Sequence, residues 1–232
     1  MAKNIDVLIM CGGKCGSSTL YISLKSAGYK CLKIHSTQDY IQQFGSDNLY
    51  KTINLSSAKK KLFIIDSYRT PIERKISSFF QNIHINIPNY KSLTMQQLIH
   101  IFNLKYLHDI EEYHSINEIL NHYNIPLFKE FNFKRGFNIK IVKNKIFIKL
   151  LYKDIDIWNK ILSKIFNKNI IIKNDNLSKN KDYIKIYNKF KEKYIVPKNY
   201  LIILKKFDKE FRIYNTKEEQ FKYILKWWNR SY

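Results

Sequence analysis

The 232-residue chain predicts an α/β fold in one domain over residues 1–232: a central parallel sheet flanked by helices, followed by a helical carboxyl-terminal part. Two stretches predict it. Val7-Leu8-Ile9-Met10 is an apolar run that reads as a buried strand. It passes through a glycine-containing turn into a helix with Leu20, Ile22, Leu24 and Ala27 apolar and Gly28 placed to end it. Lys61-Leu62-Phe63-Ile64-Ile65-Asp66 repeats the pattern and leads through Arg69 to a helix opening at Pro71, where the missing N–H costs nothing. Strands separated by helices call for right-handed crossovers and hence a parallel sheet. Ligands in such sheets gather at the carboxyl ends of the strands, where both segments turn.

The remaining elements follow in order. Residues 29–34 read as a second strand ending at His35, and 39–44 as a short helix. Residues 46–60 are polar and read as loop with helical pieces, and 71–83 as a helix. Residues 94–123 read as mostly helical, capped by Thr94, with Leu98, Phe102, Leu107, Ile110 and Ile119 inward. Pro126 ends that region. Residues 139–142 and 146–151 form a hairpin turning at Lys143-Asn144-Lys145. Asp154 caps a helix running to Phe166, and further helices cover 181–194, the stretch after Pro197, and 216–228.

Composition bounds the function. Hydrophobic content of 45% suffices for a core. No run reaches the roughly 18–20 apolar residues that span a bilayer, and no secretory leader is apparent, so a soluble intracellular protein without a membrane span is expected. Cys11, Cys15 and Cys31 form no CxxC pair and lack a histidine pair nearby, so no metal site is expected. Cys15, inside the loop, is a candidate for oxidation. The net charge of +22 is uneven: residues 1–130 carry 15 Lys+Arg against 10 Asp+Glu, and residues 131–232 carry 26 against 9. Anionic partners fit this surface: a nucleotide, an acidic glycan, nucleic acid or a membrane face. Compositional drift is the other source, because Lys, Asn, Ile and Tyr abound throughout.

The first turn carries the chemistry. Gly12-Gly13-Lys14-Cys15-Gly16-Ser17-Ser18-Thr19 joins a strand to a helix N-terminus, where converging N–H groups and the helix dipole favour a phosphate. That placement makes the predicted sheet one of P-loop type. A nucleotide triphosphatase loop needs its lysine directly after the last glycine; here Lys14 precedes Gly16 by two residues.

The order Lys14-Cys15-Gly16-Ser17-Ser18 resembles the 5′-phosphosulfate loop of sulfotransferases that use 3′-phosphoadenosine 5′-phosphosulfate (PAPS). Arg69, Pro71, Arg74 and Ser77 are similar in spacing to the segment with which those enzymes hold the 3′-phosphate. The helix after each segment looks like those of Golgi-type and capsular-polysaccharide members, and Phe211-Arg212-Ile213-Tyr214 with Trp227 is faintly similar to a carboxyl-terminal pattern of the capsular group. Residues 84–180 rest on fold analogy alone. The family's glycine-rich loop with a lysine is not evident.

The resemblance implies sulfuryl transfer from PAPS to a hydroxyl, with a carbohydrate or polysaccharide as acceptor. It assigns cofactor binding to Lys14, Cys15, Gly16, Ser17, Ser18, Thr19, Arg69 and Ser77, with Lys14 also stabilising the leaving phosphate and no metal required. The base is open in the family. His35, ending the strand after the loop helix, is the candidate; its other reading is an ordinary strand-end histidine. Asp39, Glu73, Glu111 and Glu112 are the carboxylate reserves, and His84 is a candidate lining for the acceptor cleft. Two further readings stand beside this one. Aromatics interleaved with lysines over 183–228 suit nucleic-acid binding, and a sulfotransferase-like fold can bind a glycan without turnover.

Overall fold

A computed structural model describes residues 4–45, 49–107, 116–173 and 182–232. In chain order it contains β1 (Val7–Met10), α1 (Ser17–Ser26), β2 (Cys31–Ile34), α2 (Thr37–Phe44), α3 (Leu49–Ser57), β3 (Leu62–Tyr68), α4 (Pro71–Gln81), α5 (Ile83–Asn86), α6 (Met95–Tyr106) and α7 (Ile116–His122). Then come β4 (Asn138–Val142), β5 (Lys145–Leu151), α8 (Trp158–Phe166), α9 (Ile184–Lys193), α10 (Lys198–Phe207), α11 (Lys209–Ile213) and α12 (Lys217–Trp228). The chain gathers into two compact units, Met1–Arg69 with Tyr113–Asn176, and Thr70–Glu112 with Leu177–Tyr232.

The first unit is α/β. Its five-stranded sheet runs β2-β1-β3-β5-β4, with β1 parallel to β2 and β3, β3 parallel to β5, and only β4 antiparallel. Central strands covered on both faces read as unbroken apolar runs, which is why β1, β3 and β5 stood out. The edge strand β4 is half-exposed and carries Lys140. Leu8, Met10, Ile64 and Phe147 face Ile53 of α3 and Ile119 and Leu120 of α7. Val7, Ile9, Ile65 and Ile148 face Leu20 and Leu24 of α1 and Trp158 and Leu162 of α8. The period of two thus feeds two cores from one sheet.

Several expected boundaries move, for local reasons. β2 begins at Cys31, not Tyr29, because the Lys30 N–H donates to the Asp6 carboxylate rather than to a strand. β3 continues through Ser67 and Tyr68, which pair with Leu150 and Leu151. Residues 49–57 form a full helix; its buried face includes Thr52 and Ser56, so hydropathy hides the period. Thr52 Oγ1 lies 2.8 Å from the Tyr40 hydroxyl, and Ser56 accepts from the Ile5 N–H. Asp154 does not open the helix: it lies inside a 3₁₀ segment, Tyr152–Ile157, and α8 starts at Trp158. Trp158 donates its indole N–H to the Leu151 carbonyl at 3.0 Å and opens the helix three residues later than a cap at Asp154 would.

The second unit is helical around an aromatic core. Phe79 and Phe80 of α4, Phe102 of α6 and Phe190 of α9 are all fully buried. They meet edge to face, with Phe79–Phe80 and Phe80–Phe190 centroids both 5.1 Å apart. Thr94 and Thr216 form capping boxes with Gln97 and Glu219, opening α6 and α12. The inward positions Leu98, Phe102, Leu107 and Ile119 are buried; Ile110 lies outside the described residues.

Candidate functional site

Parallel strands end on one edge of the sheet, so β1, β2, β3 and β5 deliver the Cys11–Gly16 loop, His35, Arg69 and Tyr152 to the same rim. The loop is conformationally specified. Lys14 takes a left-handed backbone (φ 68°), which non-glycine residues seldom adopt. Gly16 follows with φ 88°, and a Cβ there would lie 2.8 Å from the Trp158 ring. Both the turn and the packing therefore demand glycine. Trp158, held by its bond to the end of β5, is the wall against which the loop is moulded.

Arg69 ties the two sequence motifs together. Its Nη1 donates to the Lys14 carbonyl at 3.0 Å, and its guanidinium lies 4.6 Å from the centre of the Tyr152 ring. The arginine at the end of β3 thus holds the left-handed lysine at the end of β1. Cys15 is buried within the loop, its Sγ 3.7 Å from the Gly13 carbonyl, which removes it from oxidants in solution. Gly16 precedes α1 with no side-chain cap. The first-turn N–H groups of Ser17, Ser18 and Thr19 consequently have no partner within the helix. Ser17 is buried, and Ser18 Oγ accepts from Lys33 Nζ at 3.3 Å.

His35 is oriented from both sides. Its N–H donates to Asp39 Oδ2 at 2.8 Å, and its Nδ1 lies 2.8 Å from the Cys11 carbonyl oxygen. A carbonyl only accepts, so Nδ1 carries the proton of the neutral ring and Nε2 keeps the lone pair. Asp39 caps that backbone and also accepts from Gln43. Ser77 and Glu73 belong to the second unit, on α4. Ser77 is half-buried there, and Glu73 accepts from Tyr223 and pairs with Lys226. The Tyr223 hydroxyl also accepts the Ile72 N–H, so the start of α4 is capped by a half-buried tyrosine. Its phenol is held well above the usual range by burial and then by Glu73. His84 is exposed on α5; Glu111 and Glu112 lie outside the described residues.

Beneath the loop lies a feature the sequence did not announce. Asp66 and Lys149 face each other across β3 and β5, both fully buried, with Nζ and Oδ2 2.6 Å apart. Burial pushes the Asp66 carboxyl up; Lys149 and the Ser67 and Ile116 N–H groups oppose it. Cys11 is raised well above a normal thiol, by burial first and Asp66 second. Nearby, Ser67 Oγ is buried and without a hydrogen-bond partner. An apolar run containing one aspartate reads as a strand end, and only the β3–β5 register reveals the pair. Tyr152 and Trp158 were likewise unmarked, since nothing in their spacing links them to Gly16 or Arg69.

No group of three or more His, Cys, Asp or Glu stands together as a metal site, and no helix is long and apolar enough to cross a membrane, among the described residues. Comparison with known protein families, curated proteins and solved structures finds no match to this chain.

Proposed function

We propose that the chain transfers a sulfuryl group from PAPS to a hydroxyl of a carbohydrate, on a sheet of P-loop type. The observation that carries this reading is the Arg69–Lys14 contact, which joins the two segments resembling the sulfotransferase phosphate motifs. The uncapped start of α1 fits a 5′-phosphate: three N–H groups and the helix dipole meet an anion there. Lys14 and Gly16–Thr19 hold that phosphate, and Arg69 the 3′-phosphate.

PAPS supplies an activated sulfuryl group on a good leaving phosphate. The acceptor oxygen forms the new S–O bond as the S–O bond to the phosphate breaks, and the hydroxyl proton passes to a base. Lys14 offsets the charge that grows on the leaving oxygen. His35 is the base, its tautomer set by the Cys11 carbonyl so that Nε2 accepts the proton. Asp66, the carboxylate within β3 nearest the loop, is engaged by Lys149 rather than open to a magnesium ion, which favours this reading over a nucleotide triphosphatase. Of the aromatics in 183–228, Tyr187, Phe190, Tyr194, Phe211 and Trp227 are core and closed to stacking, whereas Phe207, Phe221 and Trp228 are exposed.

Calorimetry in EDTA tests the assignment. Adenosine 3′,5′-bisphosphate should bind without metal, and more weakly once its 3′-phosphate is removed. Equal affinity for ATP, or strict magnesium dependence, would falsify the assignment. Transfer of labelled sulfate from PAPS to a panel of glycans, proteins and alcohols then identifies the acceptor.

A further inference from the structure

We propose that the groove formed by residues 126–140 binds a carboxylate-bearing polysaccharide and, resting on the sulfuryl-transfer reading above, seats the acceptor. Its place follows from strand register. β4 runs antiparallel to β5 with Asn138 opposite Lys149, so the segment entering β4 lies at the edge where β5 ends. That edge is the rim that carries Tyr152 beneath Arg69. Lys153, the next residue, places its ammonium 5.3 Å from the Phe133 ring in the groove.

The groove encloses about 730 Å³, room for sugar units rather than an ion. Its wall is built: Asn132 accepts the Arg135 N–H on its side chain and the Gly136 N–H on its carbonyl, and its own N–H donates to Asn138 Oδ1. Gly136, at φ 77°, lets the turn close against Ile161.

Charge selects the occupant. Lys129, Lys134, Arg135 and Lys140 line the groove against a single carboxylate, Glu130. Lys129, Lys134 and Arg135 are exposed. Such a lining recognises anions by charge-assisted bonds. A carbohydrate that matches this lining is itself anionic, and the planar carboxylate of a uronate unit suits the guanidinium of Arg135 and the neighbouring ammonium groups. A single-stranded nucleic acid would draw on open ring faces. Phe128, Phe131 and Phe137 are buried, and Phe133, the open one, is 39% exposed. Cations already lie on these rings: Lys140 on Phe128, Lys153 on Phe133 and Arg135 on Phe137. The groove therefore presents charge and not stacking platforms.

Binding of the full chain to polygalacturonate, dextran and a thymidine oligonucleotide, in about 0.1 M salt, tests this. Polygalacturonate should bind, more tightly than the oligonucleotide, and dextran should not. Lys129→Glu/Lys134→Glu should weaken polygalacturonate binding by about tenfold or more, with unchanged affinity for adenosine 3′,5′-bisphosphate. Lys129→Ala/Lys134→Ala should give a smaller loss in the same direction. Absent polygalacturonate binding, an unaltered affinity in both variants, or tighter binding to the oligonucleotide overturns the site. If the groove behaves as expected but the bisphosphate fails to bind, the polysaccharide site stands and the transfer reading falls.

Discussion

At the residue scale, the Lys14–Arg69 contact makes two substitutions distinguishable. Arg69→Ala removes a charge-assisted contact, a loss of about 1.5–3 kcal/mol or roughly 10- to 150-fold in PAPS affinity. It also frees the Lys14 carbonyl, so turnover at saturating PAPS should fall as well. Lys14→Ala should depress turnover far more than binding, because the leaving oxygen gains charge only in the transition state; near-normal turnover at saturation removes the role. His35→Gln should still bind the bisphosphate and lose about 10²–10⁴-fold in transfer, along with the acidic limb of the pH–rate profile. An unchanged acidic limb moves the base to a carboxylate. Gly16→Ala should destabilise the chain by at least the roughly 1–2 kcal/mol of a left-handed alanine, read from urea unfolding, because Trp158 occupies the space as well. The glycine was legible as a turn from its neighbours. Its wall was not, because Trp158 reaches the loop through tertiary packing alone.

At the scale of elements, strands and caps were legible where physics is local. Val7–Met10 and Thr94 with Gln97 needed only their own neighbours to be read. α3 was hidden because Thr52 and Ser56 satisfy their hydroxyls inside the core, which no hydropathy pattern records. The site was half legible in the same way: its loop and arginine stand in sequence, whereas the Asp66–Lys149 pair depends on which strands lie side by side. That pair sets a test for the sheet. Lys149→Met strands a buried carboxylate and should cost about 3–5 kcal/mol. Asp66→Leu/Lys149→Met, by replacing both ends with apolar groups, should regain much of that loss in urea unfolding. Equal losses in the single and double variants would show that the charges do not couple.

At the scale of the whole molecule, acid stability has contributors of opposite sign. Burial alone would raise the Asp6 carboxyl, but bonds from Lys60 and the Lys30 N–H outweigh it and hold it below the ordinary value. A carboxyl depressed on folding stabilises above its unfolded value, near 3.9, and that stability is lost as pH falls through the folded value. Asp66, raised by burial, has the reverse dependence: its contribution declines as pH rises through the window above the ordinary carboxyl value of about 3.9. Asp6→Asn should therefore be less stable than the native chain near pH 7, and the gap should narrow as pH falls below the unfolded value of about 3.9, as read from denaturant midpoints. A gap that persists in acid would assign its effect to packing instead. The interleaving of the two units has a temporal consequence. A ribosome delivers Thr70–Glu112 well before Leu177–Tyr232, so the aromatic face of α4 and α6 emerges ahead of Phe190 and Trp227, which cover it. Meanwhile β3 waits for β5, with Asp66 and Lys149 separated by 83 positions. The hairpin of β4 and β5 can form at once; the parallel pairing and the helical core cannot. The nascent chain thus carries phenylalanines that await their cover from Phe80 until Phe190, the interval in which a chaperone would have the most to hold.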